Sequence, residues 1–343
     1  MKYLFIVKRS VNTLHEKTLV AHILRVCLSM RVHYDVVVTE TFMQEESVVK
    51  LKVVAARHEP LRIIVCGTME TLHFVINGLI DDDEHKNIEL GYLPYDGICD
   101  VFSTFKDIAA GTQWSIENLM YGKSVSMDVI KVNKRYAIST VNFGIDTRFA
   151  LLRAWLCSWL PFIYSGYGMQ RRLTAAIEYA SIFSRIPKHP VTLFVNGYET
   201  IIEDYFLLVF ANTRTYSGGY ICSADAESDD GQLGLYLMKR VPFWNIPKIL
   251  QSYRNGTVLK NDFMLRNALN VSRRIVKADV SFGEGKAVDV CLDGNVYMRE
   301  SSLRVEVVPA AVRFIVPNLS IDTPTSFGTG LMSSVTLKAD YSH

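Results

Sequence analysis

The stretch Val65–Leu79, VCGTMETLHFVINGL, joins an apolar run to a helical pattern through Gly67. Glycine at a strand-to-helix turn lets backbone approach phosphate oxygens, and the helix that follows offers unpaired N–H groups and the positive end of its dipole. Phosphate binding is the chemistry this spacing suggests, with Gly67, Thr68 and Thr71 nearest the anion. Lys8 and Arg9 end the first apolar run, where they could attract phosphates or simply be solvated at a strand end. Metal-centre and disulfide signatures are missing. The six cysteines, Cys27, Cys66, Cys99, Cys157, Cys222 and Cys291, form no CxxC pair, and no HExxH pattern occurs. They read as reduced thiols in apolar surroundings, which fits a cytoplasmic protein.

The elements that must position these residues follow from periodicity. From residue 3 to about 125, continuous apolar strands alternate with helical patterns: YLFIV, a helix over 14–30, VHYDVVVT, a helix over 43–57, LRIIVCG, a helix over 72–80, and IELGYLP. That alternation predicts a doubly wound parallel-sheet domain, Rossmann-like, over 1–126. After about 127 the pattern becomes strand upon strand, with turn signals at Asn133-Lys134, Asn196-Gly197 and Asp293-Gly294. Helices are expected at 170–185 and 243–254. The second domain, 127–317, is read as an antiparallel β-sandwich. Residues 318–343, rich in Ser, Thr and Gly, are read as a tail. A formal charge of +2 over 343 residues argues against an unspecific nucleic-acid footprint. The N-terminal apolar run is too short for a signal peptide, and no segment has the length of a spanning helix. The stretch 149–164 carries Phe149, Leu151, Leu152, Trp155, Leu156, Trp159 and Phe162. Such a stripe suits either a helix covering the β domain or contact with a membrane surface, and Arg171 and Arg172 would favour anionic headgroups.

In order, these motifs resemble the diacylglycerol kinase catalytic family, which includes bacterial lipid kinases and sphingosine kinases. The resemblance spans residues 3 to about 317. The family's GGDGTxxEVVNGL is met by GTMETLHFVINGL, and its LGxxPxGTxND by LGYLPYDGICD, ending at Asp100. MDVIKVN, FGID, SGGY, DDGQLGLY and LDGN follow where the family has its later motifs. The resemblance implies an ATP-dependent, magnesium-assisted lipid kinase. Asp293 would be the general base for the lipid hydroxyl. Lys8, Arg9, Gly67, Thr68, Thr71 and Asp100 would line the nucleotide. Asp230, helped by the backbone near Leu233, would match a magnesium position. Trp155, Trp159, Gly218 and Gly219 would lie at the lipid entrance. The expected partners are a lipid and a transient membrane surface at the inner face, with homodimerisation left open.

The sequence departs from the family where phosphate would sit. Thr68, Met69 and Glu70 replace a glycine, the loop aspartate and a further glycine. Phe74 replaces a glutamate, Asp96 to Cys99 replace most of the second loop, and Asn295 replaces the last glutamate. Glu70 sets a negative charge against a triphosphate, a repulsion of roughly 1–4 kcal/mol at ~4 Å. The alternative expectation is therefore a pseudokinase that keeps a lipid cleft without transferring phosphate.

Overall fold

The computed structural model describes residues 1–321 except 10–12, 42, 57–58, 81–86, 96–99, 106–113, 146, 149–150, 153–154, 156–189, 196, 203–204, 217–219, 222, 224–225, 240–241, 246–247, 250, 253–254, 258–268 and 295. The chain opens as the apolar pattern dictates: β1 (Lys2–Lys8), α1 (Thr13–Met30), β2 (His33–Thr39), α2 (Gln44–Ala56), β3 (Leu61–Gly67), α3 (Met69–Ile80) and β4 (Ile88–Pro94). The four strands pair in parallel in the order β2-β1-β3-β4. Every residue of β3 is buried, as a central parallel strand covered on both faces requires. On one face Leu4, Ile6, Ile63 and Val65 pack with Val49, Val53, Leu72 and Val75 of α2 and α3; on the other Phe5, Ile64 and Cys66 pack with Leu19, Ile23 and Cys27 of α1.

Next come α4 (Ile116–Met120), β5 (Lys123–Val132), β6 (Arg135–Ala137), β7 (Thr140–Gly144), β8 (Val191–Val195), β9 (Tyr198–Ile202), β10 (Tyr205–Ala211), β11 (Thr215–Tyr216), β12 (Tyr220–Ile221), β13 (Leu233–Lys239), β14 (Leu269–Ile275), β15 (Lys277–Phe282), β16 (Val288–Leu292), β17 (Val296–Glu300) and β18 (Ser302–Val316). One antiparallel sheet runs β14-β13-β10-β7-β16-β17. Its inward residues Val141, Phe143, Leu208, Phe210, Leu235 and Val290 pack against Ile130, Val132, Leu193, Val280, Val305 and Val307, which belong to the other sheet. This is the expected two-layer β packing. The fold class read from periodicity is the observed one: a parallel-stranded α/β part and an antiparallel β part.

The two parts share a sheet. β18 pairs in parallel with β4 and antiparallel with β5 and β15, so the order is β2-β1-β3-β4-β18-β15-β8-β9. β5 runs through residue 126, and a register shift between Val308 and Val312 lets the 15-residue β18 serve both parts. This long-range pairing of the last strand with the N-terminal sheet has no local sequence signal.

Among the described residues Cys27, Cys66 and Cys291 are buried and form no disulfide, and burial raises the Cys27 and Cys66 thiols to about 11 and about 12. The expected helix at 170–185 lies outside the described residues. That at 243–254 opens instead as a short 3-10 turn, Phe243–Asn245, with helical residues at 248–249 and 251–252. No helix among the described residues is long and apolar enough to cross a membrane.

Candidate active site

Parallel sheets place their loops at the carboxyl ends of the strands, where ligands of this architecture bind. Here those ends are Lys8, Thr39 and Gly67, with the first turns of α2 and α3 beside them. The expected helix start at residue 72 is corrected: α3 begins at Met69, directly after Thr68, so the altered motif is the helix's first turn. Leu72 N–H donates to the Thr68 carbonyl at 3.1 Å, and Thr68 N–H donates to Thr71 Oγ1 at 3.3 Å. The helix thus closes its own amino end with half of a capping box. Neither Thr68 nor Glu70 has a positive φ, so the wide glycine loop is not preserved under strain. Gly67 is retained for a packing reason: a Cβ there would lie 2.6 Å from Thr71 Oγ1. Met69 is buried in the N-terminal core. Glu70 is half-buried, and burial raises its carboxyl above the usual range, against the opposing pull of Lys8.

The cations at the end of β1 are engaged. Lys8 Nζ donates to Glu45 Oε1 at 2.8 Å and to the Thr41 carbonyl at 3.2 Å, while Thr39 Oγ1 donates to the same Glu45 oxygen at 2.7 Å. Glu45 is fully buried. Arg9, half exposed, pairs with Glu40 at 2.6 Å and with Glu16 at 3.8 Å. Where a nucleotide protein would leave positive charge for phosphates, this crevice supplies its own carboxylates. Among the described residues, those at these strand ends do not fit a triphosphate.

The acceptor side is built differently. Asp293 and Gly294 both have positive φ, 51° and 78°, at the turn between β16 and β17 that the sequence signals. The Asp293 side chain is 1% exposed. Its Oδ1 accepts from Ser139 N at 2.7 Å, Ile138 N at 3.0 Å and Thr140 N at 3.4 Å; its Oδ2 accepts from Ile138 N at 3.2 Å and from His73 Nδ1 at 2.8 Å. His73 lies on α3, so Asp293 faces the motif helix across the join between the two parts. Four residues further along α3, Asn77 stitches the same join: its Oδ1 accepts from Tyr136 N at 3.0 Å, and its Nδ2 donates to the Tyr136 and His73 carbonyls, each at 2.8 Å. Gly78 lets α2 approach, since a Cβ there would meet the Glu46 carbonyl at 2.6 Å.

Asp100 is buried, and its carbonyl accepts from Ser103 Oγ at 2.5 Å and Thr215 Oγ1 at 3.5 Å. Thr215 reaches Ser139 through its carbonyl, at 3.4 Å from Ser139 Oγ, so Asp100 and Asp293 are joined by one run of contacts. Asp230 lies elsewhere. With Glu227, Gln232 and Leu233 it lines a cavity of about 230 Å³, and its Oδ1 accepts from Gln232 N at 3.0 Å. Burial raises its carboxyl, helped by Asp128, Glu227 and Asp229 nearby. Those oxygens suit a hard cation in kind, but no group of three metal-ligating side chains occurs among the described residues. Trp155 is exposed; Trp159, Gly218 and Gly219 lie outside the described residues.

The sequence reading missed His73, which occupies an unspecified motif position, and Glu45, whose role depends on the β1–β2 pairing. The available signal was a histidine within a largely apolar helix.

No family model matches the chain. It is 22% identical over 258 residues to a protein of Shewanella frigidimarina named probable lipid kinase YegS-like, covering 75% of this chain and 76% of that one. It is equally 22% identical over 263 residues to a Staphylococcus aureus protein provisionally named a lipid kinase, covering 75% and 77%. A crystal structure from Bacillus anthracis, provisionally titled a diacylglycerol kinase, superposes with a TM-score of 0.65 at 16% identity, over 93% of this chain and 98% of that one. In sequence the chain is thus similar to proteins named as lipid kinases, and it has the two-part fold of the diacylglycerol kinase catalytic family it resembles.

Proposed function

We propose that this protein keeps the lipid-facing half of a lipid kinase and has lost efficient phosphoryl transfer from ATP. The observation that carries the reading is the engagement of the strand-end residues with one another: Thr68 and Thr71 cap α3, Glu70 stands in its first turn, and Lys8 and Arg9 pair with carboxylates. Phosphoryl transfer rests on positioning and charge compensation, and this crevice offers little of either to Mg-ATP. The protein then acts as a lipid-binding or interaction module, with Asp293 as the retained acceptor-side carboxylate and exposed Trp155 near a transient membrane contact.

The second reading is an active lipid kinase that takes a lipid hydroxyl as acceptor. The names of the relatives and the placement of Asp293 against α3 favour it. Were it to hold, ATP would supply the phosphoryl group and magnesium would offset its charge, with Asp230 and the Leu233 backbone as candidate oxygen donors. One experiment separates the two readings: labelled ATP, magnesium and diacylglycerol vesicles are incubated with the protein and with Asp293→Asn. Vesicle binding without label transfer supports the module. Label on the lipid, lost in the variant, supports the kinase.

A further inference from the structure

His73 is buried, and its side chain has no exposed surface. Its Nδ1 lies 2.8 Å from Asp293 Oδ2, a carboxylate oxygen that accepts, and its Nε2 has no hydrogen-bond partner among the described residues. Buried polar atoms are normally satisfied, and an orphan is a cost the fold must carry. A leucine would fill the same buried space on α3 and leave no such atom. The next residue of the helix, Phe74, meets the ring edge-on at 5.5 Å between centroids, a contact any apolar side chain could replace. Packing therefore does not explain a histidine here. The bond to Asp293 does, because that carboxylate needs a donor from α3 to complete the set given by the Ile138, Ser139 and Thr140 amides.

We propose that His73 is the positioning residue of the acceptor side: its ring proton sits on Nδ1, holds the Asp293 carboxylate in place, and fixes the amino-terminal half of α3 against the β16–β17 turn. The ring works through Asp293. The functional meaning of the pair rests on reading Asp293 as the acceptor-side carboxylate; its existence does not. His73 and Asn77, one turn apart, then form a single seam along α3, the first binding the turn at 293 and the second the backbone at 136.

The test uses the full chain without nucleotide or lipid, so its outcome is separate from that of the kinase assay. Nitrogen-15 spectra of the wild-type imidazole at neutral pH should show the proton on Nδ1 and a bare Nε2, with the Nδ1 proton protected from exchange. Leucine at 73 removes the donor. Asparagine restores one, because its amide nitrogen reaches the place of Nδ1, whereas the amide of glutamine reaches that of Nε2. His73→Leu should lower Tm by about 5 °C, His73→Asn should recover at least half of that loss, and His73→Gln should not. The proposal is overturned if the wild-type proton sits on Nε2, if His73→Leu melts with the wild type, or if asparagine does no better than leucine. Should the leucine variant fail to fold, the wild-type spectrum alone still decides the tautomer.

Discussion

Replacing Asp293 by asparagine changes one atom in a site where every lone pair is committed. Oδ1 can keep the amides of Ser139 at 2.7 Å and Ile138 at 3.0 Å. The new NH2 group, however, faces His73 Nδ1 at 2.8 Å, donor against donor. Bonds to a charged acceptor contribute about 1.5–3 kcal/mol and neutral ones about 0.5–1.5 kcal/mol, so losing the charge on the short contacts to His73, Ile138 and Ser139 costs about 3 kcal/mol. The uncharged amide is cheaper to bury, an offset of about 1 kcal/mol. The net loss is about 2 kcal/mol, read as a fall of about 0.5–1 M in the urea midpoint followed by circular dichroism. An unchanged or raised midpoint would refute the reasoning, since it would mean that the carboxylate is not held as described. The same loss must be measured beside any assay that uses this variant to test catalysis.

Gly78→Ala should cost about 2–3 kcal/mol, because its Cβ meets backbone of α2 at 2.6 Å and backbone cannot step aside; a urea titration checks it. Asn77→Leu, which removes the side-chain bonds to Tyr136 N and two carbonyls, should cost about 2–3 kcal/mol and increase amide exchange at Tyr136. For Glu70 the sign follows from a carboxyl whose folded value is raised by burial: its contribution favours the fold below the unfolded value and is lost as pH rises through the folded one. Glu70→Gln should therefore raise Tm at pH 7, with the gain shrinking as pH falls towards 4, and a gain that grew on acidification would contradict the burial of this group.

Periodicity and turn chemistry made much of the fold legible. The continuous apolar runs of β1, β3 and β4 could only be central strands, and Asp293-Gly294 turned as its residue types require. The joining of the two parts was illegible, because β18 pairs with β4 across more than 200 residues and is recognised only by its length and apolar alternation. At the site, the replacement of the phosphate motif's glycines and aspartate by Thr68, Met69 and Glu70 was visible as residue types. What replaced the loop was not: the early start of α3, the burial of Met69, and Lys8 turned onto buried Glu45 depend on contacts between distant segments. His73 was hidden for the same reason, since its partner lies 220 positions away.

The central claim is that the crevice at Lys8, Gly67 and Glu70 no longer receives a triphosphate, and thermal unfolding with and without Mg-ATP tests it most directly. A site with a Kd of about 10 μM, saturated at about 1 mM, would add about 2.7 kcal/mol to stability. The account predicts no shift in Tm from Mg-ATP under those conditions. A rise of several degrees, abolished by Lys8→Ala, would contradict it.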